Sequence, residues 1–237
     1  MIEDHKREGK TINKLAVISG TLGQLGPLWC ETLQEMGYRV EGLDLPSCDI
    51  SRKEDIEARK NEIVLCEGVP QVLVLNAAVD NTPGTTANFW SDAQRIIEVN
   101  YLGNSYVVEA FLPHMLEAKK GNIVFIGSML GFIASDYRNY EPPFDKPHAY
   151  GGSKAALWNL CKNLAVRYAK DGVICNMLAL SGVEGKQYGD FKAKYAKKIP
   201  IERMLRKEDF INEFKVCVAA KVPYDYPLFV GGGYTIW

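Results

Sequence analysis

The sequence predicts an α/β protein: a three-layer, doubly wound parallel sheet with helices on both faces. Three observations carry this. Short apolar runs alternate with longer helical patterns from residue 15 onward. The runs are continuous rather than alternating, so both of their faces must be buried, as in a parallel sheet covered on two sides. And 237 residues with 47% hydrophobic content suffice for one sizeable core, with nothing to force a second domain.

Taken in order, "LAVIS" at 15–19 is a buried strand that ends in glycine. A helix pattern from about Gln24 to Met36 is stopped by Gly37. "YRVEGLD" is a strand ending at Asp44, and a charged helix over roughly 52–66 leads to the apolar strand "QVLVLNAAV". Residues 88–118 carry a long helical pattern that Pro113 should kink or end. "NIVFIG" is a strand, 149–170 a helix, "VICNML" a strand, "DFINEFKVCVAA" a helix and "PLFV" a last strand. Two irregular stretches, 129–147 and 181–200, follow strands and so belong at the carboxyl edge, where such sheets bind ligands. The polar residues 1–14 form a loose tail without the apolar segment of a signal peptide, and 15–237 a single domain.

Composition excludes several classes. A net charge of -1 gives no basic field for nucleic acid. No apolar run approaches about 18 residues, the length a membrane helix needs. The six cysteines, at 30, 48, 66, 161, 175 and 217, show no C-x-x-C and no clustering with the three histidines, so neither a metal site nor a disulfide framework is expected. Buried thiols in a reducing cytoplasm fit better.

"SGTLGQLGP" joins the first strand to the first helix, with glycines at Gly20, Gly23 and Gly26. The spacing is G-x-x-G-x-x-G rather than the dinucleotide fingerprint G-x-G-x-x-G, but glycine again permits a tight turn and lets backbone amides approach a pyrophosphate on a helix N-terminus. A plain Gly-rich turn is the alternative. Asp44 closes the second strand 18 residues beyond Gly26. A carboxylate there can accept from both ribose hydroxyls of an adenosine and would repel a 2′-phosphate, which favours NAD over NADP. Asp49 could meet the adenine edge or cap the helix starting near Arg52.

"HAYGGSKAAL" places Tyr150 and Lys154 one helical turn apart, and the same spacing recurs at Tyr188 and Lys192. The neighbours of the first pair separate them. The chain resembles the short-chain dehydrogenase/reductase family over roughly residues 12–237, through motifs in order: the glycine turn; "LNAAV", with Asn76 and Ala77 matched and Ala78 in place of glycine; "VNYLG" with Asn100; "IGSMLG" with Ser128; and "YGGSK". The resemblance implies a Rossmann-type NAD-binding and catalytic domain. Tyr150 would be the proton donor or acceptor at the substrate oxygen, and Lys154 would stabilise tyrosinate and bond the nicotinamide ribose. Ser128 would hold the substrate oxygen, and Asn100 would order a water relaying protons through Lys154. Tyr188 and Lys192 read as solvated loop or helix residues, and His148 as a loop histidine near a helix start.

Two departures stand out. Where the family has a Pro-Gly turn against the nicotinamide, this chain has Leu180 and Ser181, with Gly182 and Val183 still matched, and Gly231 replaces an aspartate in "VGGGYTIW". A narrower likeness, carried by "SDYRNYE", "KPHAYGGSKAAL", "IPIERMLRKEDF" and "GGYTIW", is to short-chain enzymes associated with flagellin modification and surface sugars. The implied activity is an NAD-dependent alcohol/ketone oxidoreductase. The competing readings are a dinucleotide-binding sensor or scaffold subunit, and a methyltransferase, which would use Asp44 but leaves the Tyr–Lys pair unexplained.

Two further expectations concern partners. Phe111 and Met115, with Trp158 and Val166, put apolar residues on more than one side of their helices, which predicts a homo-oligomer, tetramer or dimer. "SDYRNYEPPFDKPH" should overhang the reacting carbon and offer Ser135, Asp136, Arg138, Asn139 and Glu141 as polar contacts, with Tyr137 and Tyr140 as flat faces for a sugar-like substrate.

Overall fold

The computed structural model describes residues 14–80, 89–140, 146, 148–187 and 189–236. The predicted tail up to residue 13, Glu141 and Tyr188 lie outside the described residues. The first four elements are β1 (Lys14–Ser19), α1 (Gly26–Glu35), β2 (Tyr38–Leu43) and α2 (Lys53–Glu67). Next come β3 (Val72–Leu75), α3 (Phe89–Ile97), a π-helical turn (Glu98–Gly103) and α4 (Asn104–Glu117). The chain continues with β4 (Gly121–Ser128), α5 (His148–Tyr168), β5 (Val173–Leu180), α6 (Gly189–Ala196), α7 (Ile211–Val218) and β6 (Leu228–Val230). The six strands form one sheet in the order β2-β1-β3-β4-β5-β6, and every pairing is parallel.

Strand alternation divides the core in two. Leu15, Val17, Leu73, Leu75, Ile123 and Phe125 face one side, where α4 and α5 pack with Phe111, Met115 and Leu157. Ala16, Ile18, Val72, Val74, Val124 and Ile126 face the other, against Trp29 and Leu33 of α1 and Phe214 of α7. Trp29 stacks on Phe214 with centroids 4.3 Å apart. Both faces of the inner strands β1, β3, β4 and β5 are therefore buried, which is why these strands read as largely apolar runs, whereas the edge strands β2 and β6 are half-exposed.

The structure departs from the sequence reading at four places. The long helix over 88–118 is interrupted at the π-helical turn rather than at Pro113, which sits inside α4. Proline removes one hydrogen bond there, and the carbonyl it leaves belongs to Glu109, exposed to water. The "QVLVLNAAV" strand stops at Leu75, because the amides of Asn76 and Ala77 turn to the Ser19 hydroxyl, each at 3.1 Å. The stretch 181–200 contains α6, whose charged sequence gives little apolar periodicity. Finally, Phe111 and Met115 are fully buried within the chain and leave no apolar outer face on α4. On α5, Val166 is 87% exposed and Trp158 partly buried, so of these two helices it is α5 that keeps apolar residues at its surface.

Candidate active site

The carboxyl ends of β1, β2, β3, β4 and β5 open onto one cleft of about 710 Å³, in the range of small-molecule sites. At one end is the glycine turn. Gly20 has φ +74, and a Cβ there would lie 2.7 Å from the Ala77 backbone. A Cβ on Gly26 would fall 2.3 Å from the carbonyl oxygens of Gly20 and Thr21. Both positions therefore require glycine. Gly23 meets only the Gly20 oxygen, at 3.3 Å. Asn76 lines the cleft with its side chain bonded to the protein: its Nδ2 donates to the Ser19 and Gly20 carbonyls at 3.1 and 2.8 Å, and its Oδ1 accepts from Trp29 Nε1 at 2.9 Å. It locks the turn to the sheet.

The first turn of α1 carries no acidic residue, so its N-terminus is free to take an anion. Asp44 accepts from the Leu22 and Leu45 amides at 2.6 and 2.8 Å. A carboxylate has about four acceptor sites, so two remain for a ribose. Asp49 lines the same end and accepts from the amide and hydroxyl of Ser51 at 2.9 and 2.7 Å. The Ser51 hydroxyl and amide hold its carboxyl below the ordinary value, with help from Arg52 and Arg95 and against partial burial. Asp49 thus shapes the entry to α2 by closing a turn rather than as its N-cap, which is Arg52. These residues fit a dinucleotide: amides and a helix end for phosphates, a carboxylate for ribose.

Ser128 ends β4, and its hydroxyl accepts from the Leu130 amide at 3.3 Å. Tyr150 and Lys154 lie on the first turns of α5. Burial pushes the Tyr150 phenol above its ordinary value, the Asp80 carboxylate adds to this, and hydrogen bonding with Ser128 opposes it. Lys154 is 3% exposed, and burial brings its ammonium down to about 8, against the pull of Asp80. Its Nζ donates to the Ile126 carbonyl at 2.9 Å and lies 5.8 Å from the centre of the Tyr150 ring. The lysine is thus tied to β4 beside the Tyr150 ring.

Asn100 is fully buried, and its side chain is committed to the protein. Its Oδ1 accepts from the Val79 amide at 2.7 Å, and its Nδ2 donates to the Val79 carbonyl and Ser153 Oγ at 3.0 and 3.2 Å. Ser153 in turn donates to the Tyr150 carbonyl at 2.7 Å. Asn104, one turn on, donates to the carbonyls of Ala77 and Asn100, both at 2.9 Å, and accepts from Ser19 at 3.0 Å. A continuous buried polar chain thus runs from the glycine turn to the tyrosine helix. The wide turn of Glu98–Gly103 delivers both asparagines to it, and Gly103 allows the approach, since a Cβ there would lie 2.8 Å from the Ile50 carbonyl.

The turn that lacks Pro-Gly is stiffened by other means. The Gly182 amide donates to the Tyr195 phenol at 2.7 Å, the Ser181 amide to the Val230 carbonyl at 3.0 Å, and the Leu205 amide to the Gly182 carbonyl at 2.9 Å. Val183 pairs with Leu205. Sequence reasoning missed Tyr195, Ser19, Asn104 and Ser153, although Asn104 stands one helical turn from Asn100. It also missed Asp80 and Lys146, which meet in an ion pair at the cleft, with Lys146 Nζ 4.6 Å from the Tyr150 ring centre. Arg138, expected at the substrate, instead faces solvent and holds Asp136 at 2.8 Å, because that carboxylate satisfies its guanidinium locally.

The sequence pattern described as short chain dehydrogenase matches residues 26–195. The chain belongs to the short-chain dehydrogenase family. An uncharacterized oxidoreductase of Schizosaccharomyces pombe is 33% identical over 183 residues, which are 70% of this chain and 66% of that protein. The ribulose-forming D-arabinitol 2-dehydrogenase of Scheffersomyces stipitis is 29% identical over 208 residues, 81% of this chain and 70% of the enzyme. A short chain dehydrogenase from Leptospira borgpetersenii, solved with bound NAD+, shares the fold over 100% of both chains, with a TM-score of 0.81 and 22% identity.

Proposed function

We propose that this chain is an NAD(H)-dependent oxidoreductase that interconverts a secondary alcohol and a ketone on a polyol- or sugar-like substrate. The observation that carries the reading is the joining of Tyr150, Ser128 and Lys154 to the Asp44 and glycine-turn end of one cleft. The similarity to an arabinitol dehydrogenase supports the substrate class. The NAD+ bound by the Leptospira enzyme supports the cofactor, as does the open acceptor capacity of Asp44. A sugar of the flagellin or cell-surface kind would also be polyhydroxylated, so the narrower resemblance belongs to the same proposal. So does a cytoplasmic homo-oligomer joined through the exposed side of α5.

Bound nicotinamide would supply hydride exchange with the substrate carbon. The chain does the rest. Tyr150, held protonated by burial, gives its proton to the carbonyl oxygen during reduction and recovers it in reverse. Ser128 holds that oxygen beside the phenol. The Lys154 charge, anchored on Ile126, stabilises the tyrosinate left behind. The Asn100 side chain, fully bonded, fixes Val79 and the start of α5. A proton relay at this point would therefore use backbone groups.

The test is fluorescence titration with NADH and NADPH, followed by turnover of alditols and sugars with NAD+. Tyr150→Phe should lose turnover at least about 100-fold, the scale of general acid–base catalysis, and keep its NADH affinity. Full activity of that variant would sink the proposal. Tight NADH binding with no turnover of any alcohol would favour the sensor reading.

A further inference from the structure

Two segments far apart in the chain meet on the substrate side of the cleft. Asn139 ends a short turn, Tyr137–Asn139, and Tyr234 belongs to the C-terminal turn after β6. Both line the cleft that holds Ser128 and Tyr150. Asn139 is 5% exposed, its Nδ2 donates to the Tyr234 phenol oxygen at 3.4 Å, and its Oδ1 has no hydrogen-bond partner among the described residues. Buried amide oxygens are almost always satisfied, and those that are not call for a missing partner. Tyr234, having accepted, keeps its own O–H to donate. The pair thus sets one buried acceptor beside one donor in the wall of the cleft. Exchanging the amide oxygen and nitrogen preserves this: Tyr234 would donate, its oxygen would still accept, and Nδ2 would become the free donor.

Both groups are held before any ligand arrives. The turn bearing Asn139 is closed by Asp136, which accepts from the Arg138 amide at 3.1 Å and from Lys198 at 2.6 Å. The Tyr234 ring stacks on Tyr195 at 4.9 Å and 20°. The nearby charges are paired internally, Asp136 with Arg138 and Lys198, and Asp80 with Lys146. That leaves a subsite matched to neutral hydroxyls rather than to an anion.

We infer that Asn139 and Tyr234 form a subsite for a vicinal diol in the part of the substrate beyond the reacting carbon. One hydroxyl donates to the amide oxygen, and its neighbour accepts from the phenol. The inference rests on the oxidoreductase reading and narrows its substrate to neutral alditols and ketoses with adjacent hydroxyls. A fold that buries an unpaired acceptor in its substrate cleft discriminates strongly against analogues lacking the matching hydroxyl.

The experiment compares a five-carbon alditol with 2-pentanol, at saturating NAD+, in the wild-type protein, Asn139→Leu and Tyr234→Phe. Alditol binding to the NADH-loaded protein is measured beside turnover. The expected result for Asn139→Leu is a loss of about tenfold or more in alditol kcat/KM and affinity, with 2-pentanol within about twofold of wild type. NADH affinity and melting temperature should be unchanged. Tyr234→Phe should show a smaller loss of the same selectivity. Equal losses for both alcohols, or unchanged alditol binding, would overturn the subsite alone. A wild-type protein that neither binds nor turns over the alditol would also overturn it. Its turnover of other alcohols would then show whether the oxidoreductase reading stands.

Discussion

Replacing Asn104 by leucine should damage stability and cofactor binding together. The side chain accepts from Ser19 and donates to the Ala77 and Asn100 carbonyls, all within 3.0 Å, the Ala77 bond part-buried and the other two buried. Leucine fills a similar volume but leaves the Ser19 O–H and the Ala77 and Asn100 carbonyls each short of one partner. Each costs about 1–3 kcal/mol. At the lower bound the three together cost about 3 kcal/mol, after which leucine's extra apolar contact recovers little. In a chain of 237 residues that is about 6–12 °C in Tm. Urea unfolding followed by tryptophan fluorescence measures it directly, with an unchanged dependence on urea confirming that the folded state is the same. The same variant should bind NADH more weakly, because Ser19 also receives the amides of Asn76 and Ala77 beneath the glycine turn. A stability loss under about 1 kcal/mol with unaltered NADH affinity would refute the idea that the buried polar chain supports the site.

Three other outcomes are expected. Asp44→Ser should narrow the preference for NADH over NADPH, read by parallel titrations; a wild-type protein that binds NADPH as tightly would contradict the role given to Asp44. Tyr195→Phe strands the Gly182 amide and should weaken NADH binding about fivefold, on the order of 1 kcal/mol, whereas unchanged binding would show that the turn is rigid without it. Because burial lowers Lys154 to about 8 from 10.5, the unfolded chain binds more protons between those values. Wild-type stability should therefore rise with pH relative to Lys154→Met, comparing urea midpoints at about pH 7.5 and 9.5, and a fall over that window would contradict the assignment.

Much of this site was legible because the glycine turn, Asp44 and Ser128 each follow or end a strand. Gly20, Gly23, Asp44 and Ser128, with Tyr150 and Lys154 of α5, line the cleft where the order of elements placed them. What escaped is of two kinds. Asp80 and Lys146 lie 66 positions apart in connecting segments, and nothing in either segment names the other. Ser19, Asn104 and Ser153 look like ordinary polar residues until the sheet brings them together. Arg138 was misjudged for a related reason: its partner lies two residues away, closer than any ligand.

The widened turn at Glu98–Gly103 sets a rule for insertions and deletions. An α-helix advances about 100° per residue. Downstream of the turn, Val107, Phe111 and Met115 pack into the core; within it, Asn100 is bonded to Val79 and Ser153. The turn itself closes wider i→i+5 rings than the i→i+4 rings of the helices that flank it. Losing a single residue there would swing one half by about 100°. Either the core side chains or Asn100 would then leave their partners. Natural length variation in this stretch should therefore be rare, and a one-residue deletion should be worse than any point substitution within it.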